Sequence, residues 1–339
     1  MSGFLARYKL RIRRKKLLWR AFRKRCDIVR VALKVDAIKP GDILLFATLR
    51  NEARRLPYFL QHYRRLGVGH FLIVDNNSDD GTPDLLRSEP DVSLWNAQAS
   101  YKAARFGLDW LTCLLWRYGH GHWCLTVDAD ELLIYPDWEN RDLHALTKWL
   151  DHQNMPAFGA LMVDLYAMGA VTAQSHVAGQ DPTEVLQWFD SHGYWVQRQP
   201  KLGNLWLQGG PRARVFFQDE PRLAPTLNKT PLVHWNRSYV YVNSTHNALP
   251  AHLNETYDLG GVERPTGVLL HTKFLPDAAE RALEEKRRGE HFAQADVYEN
   301  YYVQLAQGPD FWHADAQRYE GWQQLLRLRL MFGASWYGN

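Results

Sequence analysis

Short runs of apolar residues alternate with amphipathic stretches along the first 135 positions. Ile43-Leu44-Leu45-Phe46-Ala47 carries no polar side chain, which predicts a strand covered on both faces. From Asn51-Glu52 the spacing turns helical: Leu56, Phe59, Leu60, Tyr63 and Leu66 form a stripe, Pro57 falls in the first turns and Gly67 suits the C-cap. Phe71-Leu72-Ile73-Val74 predicts a second buried strand, ending in the turn Asp75–Thr82, and Pro83-Asp84-Leu85-Leu86 starts another helix. Val92-Ser93-Leu94-Trp95 reads as a third strand. Residues 103–118 read as a helix, with Phe106, Trp110, Cys113, Leu114 and Arg117 in register. His122–Val127 is the next strand. Strands alternating with helices predict an α/β fold with a mixed, mostly parallel sheet flanked by helices.

Beyond residue 150 the pattern weakens into short strands, Trp/Tyr-rich segments and Gly/Pro turns. It returns to helix over 276–306, where Arg281-Ala282-Leu283-Glu284-Glu285-Lys286-Arg287-Arg288 is densely charged. The predicted organisation is a basic amphipathic N-terminal arm (1–38), a catalytic domain (39–275, halves 39–150 and 151–275) and a C-terminal helical extension (276–339). The turn cluster Lys39-Pro40-Gly41-Asp42 marks the first boundary.

Charge changes this picture at the N-terminus. Residues 1–25 hold eleven Lys/Arg and no acid, so the chain's +4 less those eleven leaves −7 for residues 26–339. On a helical wheel Phe4, Leu5, Tyr8, Ile12, Leu18, Trp19 and Phe22 share one side, and Arg11 and Lys15 can snorkel beside them. A basic amphipathic helix with aromatics suits an anionic membrane surface; nucleic acid and a solvated tail are the other readings, and no nucleic-acid module follows. No run approaches the ~18 apolar residues of a membrane span. Three cysteines without paired spacing suggest neither disulfides nor a zinc site. The expected location is the cytoplasm, peripheral at the inner membrane face. A composition of 46% hydrophobic and 23% charged residues is that of a globular protein, which excludes a disordered chain.

The candidate chemistry lies at strand ends. Trp123–Val127 runs straight into Asp128-Ala129-Asp130-Glu131. In extended chain, positions two apart share a side, so Asp128 and Asp130 are expected to face one point. Paired carboxylates suit a hard cation such as Mn²⁺ or Mg²⁺, although an acidic turn capping a helix has the same composition.

Ile43–Asn51, Phe71–Thr82 and Leu125–Glu131, in that order and spacing, resemble the glycosyltransferase family 2-like proteins of the GT-A (Rossmann-like) fold, in the bacterial branch with Arg-Asn-Glu after the first strand, here Arg50-Asn51-Glu52. The resemblance covers residues 43–135 strongly and 150–275 in outline. It implies a metal-dependent, inverting glycosyltransferase that moves a sugar from a nucleotide-diphosphate donor to a glycan or a lipid-linked or cell-surface acceptor. Asp130 would ligate the metal, Asp128 would serve the metal or the ribose, and Glu131 would sit behind them. Thr48, Arg50, Glu52, Asp75 and Asn76 would cradle the nucleotide, with Lys102 and Arg105 reaching the pyrophosphate. For Arg50 a surface ion pair is the plainer reading. The chain departs from the family's Val-Asp-Asp-Gly-Ser loop at Asn76 and Asn77, which leaves the base open. His271, after Leu269-Leu270, is the candidate third ligand, with His246 as rival. Arg212, in Gly209-Gly210-Pro211-Arg212, would meet phosphate or acceptor. Asp219 and Glu220, or else Asp164, would supply the acceptor-activating base. A nucleotidyltransferase is the rival enzyme, but Ala47–Glu52 lacks its glycine-rich loop. A non-catalytic glycan- or nucleic-acid-binding protein is the remaining alternative, against which the intact Asp128/Asp130 pair weighs.

Overall fold

The computed structural model describes residues 2–257, 264–288 and 295–337. Nine strands form one sheet: β1 (Ile28–Ala32), β2 (Ile43–Leu49), β3 (Val68–Asp75), β4 (Val92–Ala97), β5 (Trp123–Thr126), β6 (Glu131–Ile134), β7 (Ala157–Asp164), β8 (Asn228–His234) and β9 (Thr266–His271). Their spatial order is β1-β4-β3-β2-β5-β8-β7-β9-β6. β2, β3, β4, β5, β7 and β9 run one way, whereas β1, β6 and β8 run antiparallel to their neighbours. The mixed, mainly parallel sheet expected from the alternation is therefore what forms.

The all-apolar runs are explained by two cores. Leu45 and Ala47 face one side with Leu56, Phe59, Leu60 and Tyr63 of α2 (Leu56–Arg65). Leu44 and Phe46 face the other, with Trp110, Leu111 and Leu114 of α4 (Leu108–Leu114). A strand alternates its side chains, so a strand covered on both faces must be apolar at every position. Each such buried side chain contributes roughly 1.5–3 kcal/mol.

The element readings need three corrections. The helix expected over 103–118 starts only at Leu108 and ends in a wider turn over Leu115–Gly119. Arg105, Phe106 and Gly107 have positive φ. The loop presses so closely on β2 that a Cβ at Gly107 would lie 2.7 Å from Thr48 Oγ1, and this close approach delays the helix. Second, β1 lies inside the stretch read as an N-terminal arm, pairing with β4 at the sheet edge. Its exposed Val29 and Val31 hide the strand pattern. Third, α1 (Ser2–Lys24) is joined to the body. Leu10, Leu17 and Leu18 pack on Leu202, Val240, Val242 and Leu249, and Arg20 Nε lies 2.6 Å from the buried Asp109 carboxylate.

The second half adds β7, β8 and β9 to the same sheet. α3 (Thr82–Ser88), α5 (Leu143–His152), α6 (Gly210–Phe216), α7 (Ala278–Arg288), α8 (Ala295–Ala306) and α9 (Trp322–Arg327) complete the shell. Part of the helix expected over 276–306, residues 289–294, lies outside the described residues. Among the described residues no helix is long and apolar enough to cross a membrane.

Candidate active site

The carboxyl end of the sheet collects many of the candidate residues. The carboxyl ends of β2, β3, β5, β7 and β9 deliver Arg50, Asp75-Asn76, Asp128, Asp164 and His271. β6 and β8 run the other way, so their first residues, Glu131 and Asn228-Lys229, arrive at the same end. In open α/β sheets this is where ligands bind.

The two carboxylates of Asp128-Ala129-Asp130 feel each other's charge but bond different partners. β5 stops at Thr126 and β6 begins at Glu131, so residues 127–130 form a turn in which the two-residue alternation does not apply. Each carboxylate meets a different cation. Asp128 Oδ2 lies 2.7 Å from Lys229 Nζ, which also pairs with Glu131. Asp130 Oδ2 lies 3.2 Å from His271 Nε2, while His271 Nδ1 bonds the Asp164 carboxylate. Behind these, Arg212 Nε lies 2.8 Å from Asp164 Oδ2.

Burial raises the pKa of each of these carboxyls, but the cations outweigh it for three of them. Lys229 holds Asp128 below the usual carboxylate range, His271 holds Asp130 well below it, and Arg212 with His271 does so for Asp164. Glu131 goes the other way. Burial, together with Asp128 and Asp130, outweighs Lys229 and pushes it up to about 7. Its Oε2 accepts from the Asp128 backbone N–H at 3.1 Å, pinning the turn. The Lys229 ammonium is held charged by Asp128 and Glu131 against the cost of burial.

Beside this cluster a polar cavity of about 730 Å³ is lined by Arg50, Asn76, Gln98, Tyr101, Arg287 and Arg288 among others. Tyr101 links the two. Its phenol is pushed up by burial and by Asp128 and Asp130, while Arg288 opposes the shift. α7 straps over the cavity: Arg50 Nε lies 3.0 Å from Glu284, Arg281 pairs with Glu52, and an Arg288 guanidinium nitrogen donates to Asn76 Oδ1 at 3.1 Å. Arg50 thus makes the ion pair that was its plainer reading and lines the cavity as well.

Several expected roles are corrected. Asp75 is buried and accepts from Ser78 N and from Asn96 Nδ2, each at 3.1 Å, so it builds the loop; Asn76, on the cavity wall, is anchored too, its Nδ2 donating to the Ala97 carbonyl at 2.7 Å. Thr48 packs under Gly107. Glu52 is held by Arg55 and Arg281. Arg105 is committed to Asp109 and to the carbonyls of Tyr241 and Val242, so it anchors the fold instead of a pyrophosphate. Lys102 sits half-buried in the same loop as Tyr101. Arg212, the expected phosphate or acceptor contact, is buried against Asp164. Asp164 is enclosed between Arg212 and His271, which fits it for orienting His271 and not for deprotonating an acceptor. Asp219 and Glu220 are exposed on the turn before a short 3-10 segment, Pro221–Leu223. His246, the rival ligand, bonds the Asn228 carbonyl at 2.7 Å, and burial lowers it to about 4. Lys229 and Arg288 escaped the sequence reading: a single Lys opening a strand and an Arg inside a charged helix carry no distinguishing pattern.

Among the described residues no group of three or more His, Cys, Asp or Glu side chains is arranged to hold a metal ion. A two-ligand set nevertheless fits. The 3.2 Å between Asp130 Oδ2 and His271 Nε2 is close to the spacing of two adjacent ligands each roughly 2.1 Å from one cation. A carboxylate on the far ring nitrogen, here Asp164, is the usual way a metal-binding imidazole is oriented.

No family model matches the chain. Over 139 residues, 39% of the chain, it is 27% identical to a glycosyltransferase family 92 protein of Oryza sativa subsp. japonica. The match spans 22% of that relative's length. The sequence similarity thus reaches a glycosyltransferase, of family 92 where the motifs resemble family 2. Among solved structures, a putative glucose-1-phosphate thymidylyltransferase from Bacillus anthracis aligns with a TM-score of 0.28 at 9% identity, over 78% of this chain and 83% of that one. A UDP-glucose pyrophosphorylase from Acinetobacter baumanii aligns with a TM-score of 0.27 at 9% identity, over 80% and 84%.

Proposed function

We propose that the chain is a glycosyltransferase using a nucleotide-diphosphate sugar. The observation that carries this reading is the pairing of Asp130 with His271, oriented by Asp164, beside a cavity lined by Arg50, Asn76, Tyr101 and Arg288. The cavity takes the nucleoside, with Gln98 offering amide donors and an acceptor to a base and Arg288 or Arg50 reaching phosphate. Asp130 and His271 would hold a divalent cation, Mn²⁺ or Mg²⁺. When bound, that cation offsets the charge developing on the leaving nucleoside diphosphate. Lys229 keeps Asp128 ionised and in place, where it is half-exposed.

The acceptor is a glycan or a lipid-linked or cell-surface saccharide. An inverting displacement needs a carboxylate base; Asp164 is enclosed by Arg212 and His271, which leaves the exposed pair Asp219 and Glu220 as the candidates.

The test is a screen of nucleotide-sugars for Mn²⁺-dependent thermal stabilisation and for sugar transfer or hydrolysis, with Asp130→Ala as control. Stabilisation by a nucleoside diphosphate that needs both the cation and Asp130 supports the reading. Release of pyrophosphate from a nucleoside triphosphate and a sugar 1-phosphate would establish a nucleotidyltransferase instead, and absence of cation-dependent nucleotide binding would overturn both.

A further inference from the structure

Helix α1 has two apolar faces, and only one is covered. Leu10, Leu17 and Ala21 point into the body. Leu5, Tyr8, Ile12, Trp19 and Phe22 fall within an arc of about 100° on the opposite side at 3.6 residues per turn. These five are exposed by 55%, 54%, 37%, 62% and 48%. Trp19 and Phe22 stack on each other with ring centroids 5.6 Å apart instead of folding inward. Exposed Lys9, Arg11 and Lys16 border the stripe, and the exposed Lys15 and Arg23 fall within its arc, where their stems can snorkel. A groove of about 450 Å³ lined by Trp19, Arg20, Arg23, Lys24 and Asp27, the last paired with Lys24, continues the surface at the helix's C-terminal end.

We propose that this outward face of α1 docks the protein on an anionic lipid bilayer. An apolar stripe with a wholly cationic border matches the bilayer interface, where acyl chains take Leu5 and Ile12, the headgroup layer takes Trp19 and Tyr8, and lipid phosphates take the Lys/Arg rows. A second copy of the helix would bring the same eleven positive charges against themselves, because residues 1–25 contain no acid. Nucleic acid would satisfy the cations and leave the apolar stripe in water.

The docking would be rigid, which separates it from a flexible basic tail. The far face of α1 is fixed by its apolar packing and by Arg20 on Asp109, a carboxylate shared with Arg105. Arg105 in turn bonds the Tyr241 and Val242 carbonyls. The bilayer therefore orients the whole sheet and its ligand-binding edge. This inference stands whether or not the transferase reading does.

The test is co-sedimentation of the full chain with phosphatidylcholine vesicles, with and without phosphatidylglycerol. The wild type is expected to bind the anionic vesicles at least about tenfold more tightly, with an affinity that falls as salt rises. A Tyr8→Ser/Ile12→Ser/Trp19→Ser variant is expected to lose about tenfold or more of that affinity with an unchanged melting temperature, since none of the three belongs to the packed face. A Lys15→Gln/Lys16→Gln/Arg23→Gln variant is expected to lose the preference for anionic lipid. Equal binding by the serine variant overturns the proposal. So does a wild-type dimer that the serine variant converts to monomer, because the face would then belong to a second copy. Binding to RNA in place of vesicles overturns it as well.

Discussion

Lys229 Nζ lies 2.7 Å from Asp128 Oδ2 and also pairs with Glu131, so one buried ammonium from β8 serves two carboxylates of the turn between β5 and β6. Lys229 and Glu131 are nearly inaccessible, whereas Asp128 is half-exposed. The asymmetry has an energetic consequence. Removing Lys229 leaves Glu131, already pushed up to about 7, either charged without a partner or forced to take up a proton on folding, and both are costly. Lys229→Met should lower unfolding free energy by about 3 kcal/mol. Adding Glu131→Gln should restore most of it. Urea denaturation of the two variants checks this, and equal loss in both would show that Lys229 matters through packing alone.

His271 stands between Asp130 and Asp164. His271→Ala should abolish cation-dependent nucleoside diphosphate binding. Asp164→Asn should weaken it by roughly 10–100-fold, the usual effect of removing the partner that orients a metal-binding imidazole. Calorimetric titration of Mn²⁺ with UDP and GDP into each variant decides. Undiminished binding in Asp164→Asn would mean that Asp164 serves only the Arg212 ion pair.

Arg288 holds Asn76 Oδ1 at 3.1 Å on the cavity wall, and Glu284 holds Arg50. Arg288→Ala should reduce nucleoside diphosphate affinity about tenfold, the worth of one charge-assisted hydrogen bond. Glu284→Gln should raise affinity by releasing Arg50 towards phosphate. A fall in Glu284→Gln would show instead that the ion pair positions Arg50 for binding. Equilibrium binding of labelled nucleotide reads both.

His62 donates to the Leu133 carbonyl at 2.9 Å inside the core, and burial lowers its pKa from 6.5 to about 4. The unfolded chain takes up a proton here below about pH 6.5, whereas the folded chain refuses it until about pH 4. Stability on this residue's account therefore falls as pH drops through that window. His62→Gln, which keeps an N–H for Leu133, should flatten the acid limb by up to one proton's slope. Denaturant midpoints measured across the window check it; parallel curves for variant and wild type would place the acid sensitivity elsewhere, His246 being next in line.

Much of the nucleotide half was legible because it is written locally. Apolar runs end where strands end, so Arg50, Asp75, Asp128 and His271 could be placed at strand termini from the pattern, and strand termini in such sheets share an edge. The loops were read less well. Asp75 has the composition of a base-binding acid, yet its bonds to Ser78 and Asn96 make it a loop anchor. Arg105 has the charge for pyrophosphate, yet the left-handed turn at residues 105–107 aims it at Asp109.

The chain's own pattern was enough for the α/β alternation, the two-sided burial of β2 and the crowding of carboxylates after β5, since each depends on neighbours a few positions away. Which cation answers which carboxylate was not written there. Lys229 meets Asp128 across 101 residues, and His271 meets Asp164 across 107. Those partnerships exist because β8 inserts between β5 and β7 and β9 lies beyond β7. Strand order is settled by long-range packing of the whole sheet, and only that order gave the two carboxylates of the Asp-Ala-Asp turn their different partners, Lys229 and His271.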